Sequence, residues 1–290
     1  MLEYEVFGSS TDPTALLIMG MGAQLTRWPI PFCEKIAASG YQVIRFDNRD
    51  MGRSSWIDTP MQEMWEMMAS LLMGGAFKVP YTLSDLGNDT LGLMDALHIP
   101  AAHIIGLSMG GMIGQLLAAD HPQRTLSLVS MMSTSGNPAL PRASAEIFAK
   151  VTARPPSGID VDKEMAAVLL TDAMIALAGP TYPLDMESAR QRVLADLDRG
   201  YNPAGITRQF AAITASGDRR EKLRSIQIPT LVLHGELDPL FPVAAAHDTA
   251  ACIPGAHLKV IPGMGHDLPP PLFDTVAEAI VANMQRAARP

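Results

Sequence analysis

A serine lies at the centre of a glycine-rich pentapeptide, Gly106-Leu107-Ser108-Met109-Gly110. An apolar run, 103–105, precedes this pentapeptide, and a run typical of a helix, 112–120, follows it. Strand, G-x-S-x-G and helix in this order predict a sharp turn that exposes the serine hydroxyl, because only very small neighbours let the two backbones approach closely. The first amides of the helix point to the same space. The pattern favours a nucleophile whose attack creates an oxyanion.

Two further side chains could activate this serine. A serine hydroxyl needs a base, usually histidine, and the histidine needs a carboxylate that holds its tautomer. After an elbow of this type the chain order is serine, acid, histidine. Asp238 follows an apolar run that ends at Leu233, and His266 follows one that ends at Ile261. Both loops should reach the sheet edge that carries Ser108, so we predict Ser108 as nucleophile, Asp238 as acid and His266 as base.

Each of these assignments has an alternative. Glu236 could replace Asp238 as the acid, although the proline after Asp238 and its distance from the strand favour Asp238. In some enzymes the acid follows the strand after the elbow, but the loop 133–137 contains no carboxylate. His234 is the main competitor for the base, yet it precedes Asp238, which is the wrong order. The remaining histidines begin strands or lie on or at the ends of helices, where structural roles are typical.

The oxyanion needs two backbone N–H donors that are already oriented. The N–H of Met109, directly after the nucleophile, is the first candidate. The turn Met19-Gly20-Met21-Gly22 follows a wholly apolar run and is rich in glycine. We predict that Met21 N–H is the second donor; the alternative is that this segment is an ordinary turn from strand to loop.

The segments that must position these residues alternate between strand and helix patterns. Such a βαβ rhythm predicts a mostly parallel sheet with helices on both faces, and hence an α/β fold. The helix over 83–97 has Ser84 or Thr82 as its candidate N-cap. Strands are predicted over 2–7, 15–19, 42–46, 102–105, 126–131, 228–234 and 257–261, and helices over 31–39, 83–97, 112–120, 244–252 and 276–286.

The alternation stops between the strand over 126–131 and the strand over 228–234. Four helix patterns follow one another there, over 141–151, 161–178, 186–198 and 204–216, separated by Pro/Gly clusters such as 154–158. We interpret 133–224 as an all-helical cap that lies over the C-terminal edge of the sheet, where ligands bind in such folds. The core domain then comprises 1–132 and 225–290.

Composition narrows the class of protein. The chain has 290 residues, of which 48% are hydrophobic and 18% are charged, and its formal net charge is −8. A large core is therefore expected, and binding to nucleic acid or to an anionic membrane is not. The acidic N-terminus does not look like a signal peptide, and no apolar run is long enough to cross a membrane. Cys33 and Cys252 are predicted to be free thiols, and we expect a cytoplasmic protein without a metal site.

Six motifs lie along the chain outside the helical cap: the Met19–Gly22 turn, 47–54, the elbow 106–111, His121-Pro122, 238–241 and 263–266. Together they resemble the α/β-hydrolase superfamily, and within it the carboxylesterases similar to aclacinomycin methylesterase. This resemblance implies an α/β-hydrolase fold, a Ser/Asp/His triad, no cofactor and a helical cap that shapes the substrate pocket.

The chain departs from many members of the superfamily at two places. Many carry His-Gly where this chain has Met19-Gly20, which changes a side chain but not the donated amide. Many carry Asp-x-Arg-Gly where this chain has Asp47-Asn48-Arg49-Asp50. We interpret Asp47 and Arg49 as residues that brace the loop.

A methionine-rich helix pattern is the candidate wall of the pocket. Its apolar residues recur at helical spacing, and methionine adapts to irregular shapes. We predict that Met64 and Met68 line the substrate pocket; the alternative is plain packing between cap and core. The apolar residues are Met61, Met64, Trp65, Met68, Leu71 and Leu72.

These residues together predict a serine hydrolase that cleaves uncharged carboxylic esters of modest size through an acyl-enzyme. The same triad could instead serve a carbon–carbon bond hydrolase, an amidase or aminopeptidase, an acyltransferase or a cofactor-free perhydrolase. An aminopeptidase would need a cap carboxylate, for which Asp160, Asp162, Glu164 and Asp172 are candidates. A non-catalytic ligand receptor on the same fold is the alternative from another class. The expected partner is a small-molecule ester, and the oligomeric state is left open.

Overall fold

The computed structural model describes residues 1–153 and 162–287. Within them a seven-stranded sheet has the order β1-β3-β2-β4-β5-β6-β7. Strand β1 pairs antiparallel with β3, and every other neighbouring pair is parallel. The predicted α/β architecture is confirmed. The strands are β1 Tyr4–Phe7, β2 Thr14–Ile18, β3 Gln42–Phe46, β4 Ala102–Leu107, β5 Thr125–Met131, β6 Thr230–Gly235 and β7 His257–Ile261.

Helices cover both faces of this sheet. Those of the core are α1 Ile30–Ala37, α2 Met64–Leu72, α3 Leu83–Ala96, α4 Met109–Asp120, α10 Ala244–Cys252 and α11 Phe273–Met284. Phe32 of α1 and Phe273 of α11 pack in the hydrophobic cluster on one face. Leu86 of α3 and Ile113 of α4 pack in the cluster on the other. Strands β2 and β4 are buried along their whole length because helices cover them on both sides.

In the described residues, five further helices lie between β5 and β6. They are α5 Ala145–Thr152, α6 Lys163–Ala178, α7 Met186–Arg199, α8 Pro203–Ser216 and the short α9 Arg220–Leu223. We call α5–α8 the cap. Helix α9 was not predicted, and Leu223 packs in the core beside α4. The predicted start of α6 at 161, the Pro/Gly cluster 154–158 and Asp160 lie outside the described residues.

Side-chain caps explain where the cap helices begin. Ser144, Asp162, Asp185 and Asn202 each precede a helix and accept a hydrogen bond from an amide of its first turn. Each such bond satisfies a donor that has no partner within the helix. In the core, Thr82 rather than Ser84 caps α3, because Thr82 Oγ1 accepts from Asp85 N–H at 3.2 Å.

The edges of the predicted cap are anchored in the core. Ser135 and Asn137 both donate to the carboxylate of Asp248 in α10. Arg219 is buried and donates to Gln115 of α4 and to Thr134 O. The segments on both sides of the cap are therefore held to core helices by hydrogen bonds. The domain boundaries at 133 and 224 stay a prediction.

The structure also bears on three expectations outside the site, which concern helix α2, the cysteines and membrane-spanning helices. The apolar stripe predicted on α2 is not its buried face, because Met64 and Met67 are buried while Trp65 and Leu72 are 69% and 85% exposed. Apolar residues cover more than half of the circumference of this helix, so their spacing alone does not select the buried face. Both cysteines are free, and burial raises the pKa of Cys33 to about 12. No helix in the described part of the chain is long and apolar enough to cross a membrane.

Candidate active site

Ser108 occupies the turn between β4 and α4. Strand β4 ends at Leu107 and α4 begins at Met109, so a single residue separates the two elements. The backbone of Ser108 has φ +57°, a left-handed conformation that is uncommon for residues other than glycine. Ser108 N–H donates to Met131 O at 2.8 Å, and Ser108 O accepts from Ser133 Oγ at 2.8 Å. Hydrogen bonds to β5 and to the loop after it thus support this strained turn.

The glycines around Ser108 are required by close backbone contacts. A Cβ atom on Gly106 would lie 2.1 Å from Gly110 O. A Cβ atom on Gly110 would lie 2.1 Å from Ile18 O, at the end of the neighbouring strand β2. Both distances are far below van der Waals contact and involve backbone atoms that have little freedom to move. No larger residue fits at either position without displacing the elbow.

His266 and Asp238 form a buried pair on the two neighbouring loops. Their side chains meet through His266 Nδ1 and Asp238 Oδ2 at 2.7 Å. The other carboxylate oxygen of Asp238 accepts from the amides of Leu240 and Phe241, each at 2.8 Å. These bonds fix the orientation of the carboxylate, which in turn fixes the imidazole. His266 and Ser108 both lie on the wall of one cavity.

The geometry separates the alternatives that the sequence left open. Glu236 is not paired with a histidine; its Oε2 accepts from Gly263 N–H at 3.0 Å and braces the loop that carries His266. His234 is fully buried, and its Nε2 lies 2.7 Å from Phe241 O and 3.4 Å from Asp238 Oδ2. Burial lowers the pKa of His234. A neutral His234 therefore donates to Phe241 O and supports the loop of Asp238 from behind.

The cap contacts the loop of His266 directly. The amide of His266 donates to Leu177 O, at the C-terminal end of α6, at 2.7 Å. Gly265 is held so close to this helix end that a Cβ atom there would lie 2.3 Å from Ala178 O. The Gly-Met-Gly-His segment is thus shaped by its contact with the cap, a role that its sequence did not reveal.

The two predicted oxyanion donors lie near Ser108. Met109 is the first residue of α4, and a Cβ atom on Gly20, in the turn that carries Met21, would lie 3.2 Å from Ser108 Cβ. In the described part of the chain, neither the Met21 amide nor the Met109 amide donates a hydrogen bond to a protein group. The amide of Gly22 is occupied, since it donates to Gln209 Oε1 of α8 at 2.9 Å. Gln209 is a supporting residue that the sequence analysis missed.

Asp47 and Arg49 brace the loop after β3. Asp47 is fully buried and accepts from Leu25 N–H at 2.6 Å and from Arg199 Nη1 of α7 at 2.9 Å. Arg49 pairs with Asp89 of α3 through bonds of 2.5 Å. Neither side chain is placed to act on a substrate, so their roles are structural.

Asp50 stands where many members of the superfamily carry glycine. Its φ of +70° lies in the left-handed region that favours glycine. Its fully buried carboxylate accepts from Arg208 Nε and Nη2, both at 2.8 Å, and from Tyr81 Oη at 2.8 Å. Because Arg208 belongs to α8, this departure creates a buried ion pair between the core and the cap.

A cavity of about 440 Å³ lies between the cap and the C-terminal edge of the sheet. Its core side includes Ser108 and His266, and its cap side includes Leu170 and Met174 of α6. Most of the wall is apolar, with methionine and leucine side chains such as Met19, Met21, Met51, Leu107, Leu177 and Leu197. The site can therefore enclose an apolar molecule and place its reactive group near Ser108.

Met64 and Met68, which were predicted to line the substrate pocket, lie on helix α2. Neither residue belongs to the cavity wall formed by the described residues. They pack instead in a hydrophobic cluster with Met51 and Ile206, which do reach the cavity. The loop after β3 and helix α8 lie between α2 and the cavity, so α2 supports the wall from outside.

Comparison with known proteins agrees with this architecture. The sequence profile of the α/β hydrolase fold matches residues 13–269. The chain is 31% identical to the rhodomycin D methylesterase of Streptomyces sp. (strain C5), across 98% of this chain and 94% of the relative. It is 30% identical to the rhodomycin D methylesterase of Streptomyces peucetius, with the same coverage. The predicted resemblance to methylesterases is therefore confirmed.

A solved structure extends the agreement to the fold. The enol-lactonase from Burkholderia xenovorans LB400 matches with a TM-score of 0.71 at 24% identity, across 98% of this chain and 96% of that chain. A likeness at that identity shows the fold alone. With a sheet of this order, an elbow at Ser108 and a profile match over most of its length, the chain belongs to the α/β-hydrolase fold family.

Proposed function

We propose that this chain is a cofactor-independent serine hydrolase that cleaves carboxylic esters through an acyl-enzyme on Ser108. The main support for this proposal is that Ser108 and His266 line the same cavity and that His266 Nδ1 is hydrogen-bonded to Asp238 at 2.7 Å. The kinship with methylesterases supports ester hydrolysis as the class of reaction.

Each side chain then has a defined task. Asp238 accepts a hydrogen bond from the protonated Nδ1 of His266, which leaves Nε2 free to act as a base. Nε2 takes the hydroxyl proton of Ser108 while Ser108 Oγ attacks the ester carbonyl carbon. The carbonyl oxygen becomes an oxyanion, which the amides of Met21 and Met109 stabilise. Protonated His266 next donates to the departing alcohol. Water, deprotonated by the same histidine, attacks the acyl-enzyme and releases the acid and Ser108.

The cavity supports a substrate of modest size. A volume of about 440 Å³ is in the range of sites that enclose small molecules, and the wall near Ser108 is largely apolar. The methylesterase relatives support an alcohol part as small as methanol. We infer that the acyl part fills the space between the core methionines and α6, while the alcohol leaves toward solvent.

Hydrolysis of p-nitrophenyl esters from acetate to decanoate tests the proposal. We expect Ser108→Ala to lower kcat/KM by at least about 10⁴-fold, because the acyl-enzyme cannot form. Ser188→Ala, which changes an exposed serine on α7, is the matched control and should retain activity. Far-UV circular dichroism of both variants checks that the fold is intact.

A fluorophosphonate probe separates the competing functions. Labelling of Ser108 without turnover of any ester would contradict ester hydrolysis and direct the search to amide, carbon–carbon or acyl-transfer substrates. No labelling of the wild type would contradict the catalytic proposal as a whole and favour a non-catalytic receptor.

A further inference from the structure

Several ionisable side chains interrupt the apolar wall of the cavity, and two of them belong neither to the proposed catalytic groups nor to the pair between Arg27 and Asp196. Arg192 of α7 is exposed to solvent where it lines the cavity, and Asp267 directly follows His266. The other arginine of the wall, Arg27, is already paired with Asp196 at 2.7 Å. Arg192 forms no ion pair with any of the residues in 1–153 and 162–287. It is therefore a solvent-exposed cation at the cavity mouth that forms no ion pair among the described residues.

One carboxyl oxygen of Asp267 also lacks a hydrogen-bond partner among the described residues. This oxygen, Oδ1, is buried. Burial raises the pKa of Asp267 to about 7, although the charges of His266 and Arg192 lower it, and Asp238 adds to the increase. Below about pH 7 the carboxyl group is thus mostly protonated and can donate a hydrogen bond. Unpaired buried polar groups are uncommon and point to a missing partner.

The two side chains complement one kind of chemical group. A guanidinium and a protonated carboxyl group are both donors, so together they fit an acceptor that carries negative charge. A hydroxyl group would use one of these donors and leave the charge of Arg192 uncompensated. A carboxylate can accept from both and supply the missing negative charge.

We propose that Arg192 and Asp267 bind a free carboxylate of the substrate, so that the preferred substrates are half-esters of dicarboxylic acids. This inference rests on the proposed ester hydrolysis and makes its substrate class more specific. It also revises the expectation, drawn from the apolar composition of the pocket, that uncharged esters are favoured. Both residues determine specificity; the bond cleavage remains with Ser108 and His266.

The proposal predicts a pH dependence with a definite sign. A bound carboxylate stabilises the protonated form of Asp267, so binding takes up a proton above pH 7 and takes up none below it. Affinity for an acidic ester should therefore be constant below about pH 7 and fall about tenfold for each pH unit above it. Any titration of the catalytic groups affects acidic and neutral esters alike, so the ratio of their KM values isolates Asp267.

Matched pairs of substrates test the site. The monomethyl esters of succinate, glutarate and adipate are compared with their terminal amides, which have the same shape without the charge. At pH 6.5 we expect the acid of at least one pair to have a KM about tenfold below that of its amide. Arg192→Gln should equalise the two KM values. Arg190→Gln changes a neighbouring arginine of α7 that pairs with exposed Glu164, and should keep the preference.

The variant Asp267→Asn gives a second test, in which the preference for the acid should be kept and not lost. Asparagine imitates the protonated carboxyl group, so this variant should keep the preference for the acid at pH 8.5, where the wild type has lost most of it. Hydrolysis of the amides without any preference for an acid, or a preference that survives Arg192→Gln, would overturn the carboxylate site and leave ester hydrolysis standing. Failure to hydrolyse either member of every pair would instead overturn the proposed function, and the inference with it.

Discussion

The elbow at Ser108 and helix α8 of the cap are held in place by different kinds of contact. On the core side, the elbow depends on backbone approach: Gly106 and Gly110 lie where a Cβ atom would be 2.1 Å from a carbonyl oxygen. On the cap side, the position of α8 depends on side chains, above all the buried pair between Arg208 and Asp50. Backbone contacts of this type allow almost no variation in residue type. Side-chain pairs can be exchanged for others, which is why this chain can replace a usual glycine by Asp50.

This difference separates what positions the nucleophile from what shapes the pocket. The proposed nucleophile, base and acid all follow core strands, whose ends converge at one edge of the sheet. The cap side of the cavity comes largely from α6 and α7. Mutations on the core side should therefore affect turnover most, and mutations on the cap side should affect stability and substrate choice.

The largest expected effect comes from the acid of the triad. Asp238→Asn should lower kcat/KM by about 10⁴-fold, because an amide there favours the wrong tautomer of His266 while leaving its position nearly unchanged. Glu236→Gln is the matched control on the same loop and should cause a much smaller loss. Steady-state kinetics on one ester measure both. Equal losses in the two variants would contradict the assignment of Asp238 as the acid.

The pair between the core and the cap should have the next largest effect. Arg208→Met leaves the carboxylate of Asp50 buried without its cation, which should lower the free energy of unfolding by about 3–5 kcal/mol. Arg190→Gln removes an exposed pair with Glu164 and should cost at most about 1 kcal/mol. Urea denaturation measures both. The double variant Asp50→Asn, Arg208→Met should recover part of the loss, and no recovery would show that Arg208 acts through packing instead.

A substitution at the elbow should have a somewhat smaller effect on stability. Gly110→Ala places a methyl group against Ile18 O and should lower the free energy of unfolding by about 3 kcal/mol, as in other overpacked sites. Gly92→Ala on the exposed face of α3 meets nothing within 4 Å and should raise it by about 0.5–1 kcal/mol. Thermal unfolding of the pair gives the comparison. A tolerated alanine at 110 would mean that the elbow relaxes more easily than its contacts suggest.

Much of this architecture could be predicted because it depends on local or ordered signals. The strands β3 and β7 and helix α10 have the predicted bounds, since turn residues delimit their apolar runs. The alternation of strand and helix predicted the parallel sheet. The order of serine, acid and histidine predicted which loops meet, because parallel strands bring their C-terminal ends to one edge.

The errors of the sequence analysis share one physical cause. Met64 and Met68 are apolar and correctly placed on a helix, but the path of the 47–54 loop and of α8 decides that they lie behind the wall. Gln209 supports the Met21 turn from a helix 187 positions away in sequence. No pattern along the chain indicates which distant side chains meet.

By itself, then, the sequence determined the elbow, the order of the catalytic loops and the alternation of the core, because sterically required glycines and the period of apolar residues can be read directly from it. Only the tertiary structure decided which side chains enclose the cavity and which charges remain unpaired within it. Arg192 and Asp267 illustrate this limit, since an arginine and an aspartate have ordinary surface roles in most proteins. Their importance here follows from their position on the cavity wall and from the absence of partners for Arg192 and for Asp267 Oδ1 among the described residues, and both are properties of the folded chain.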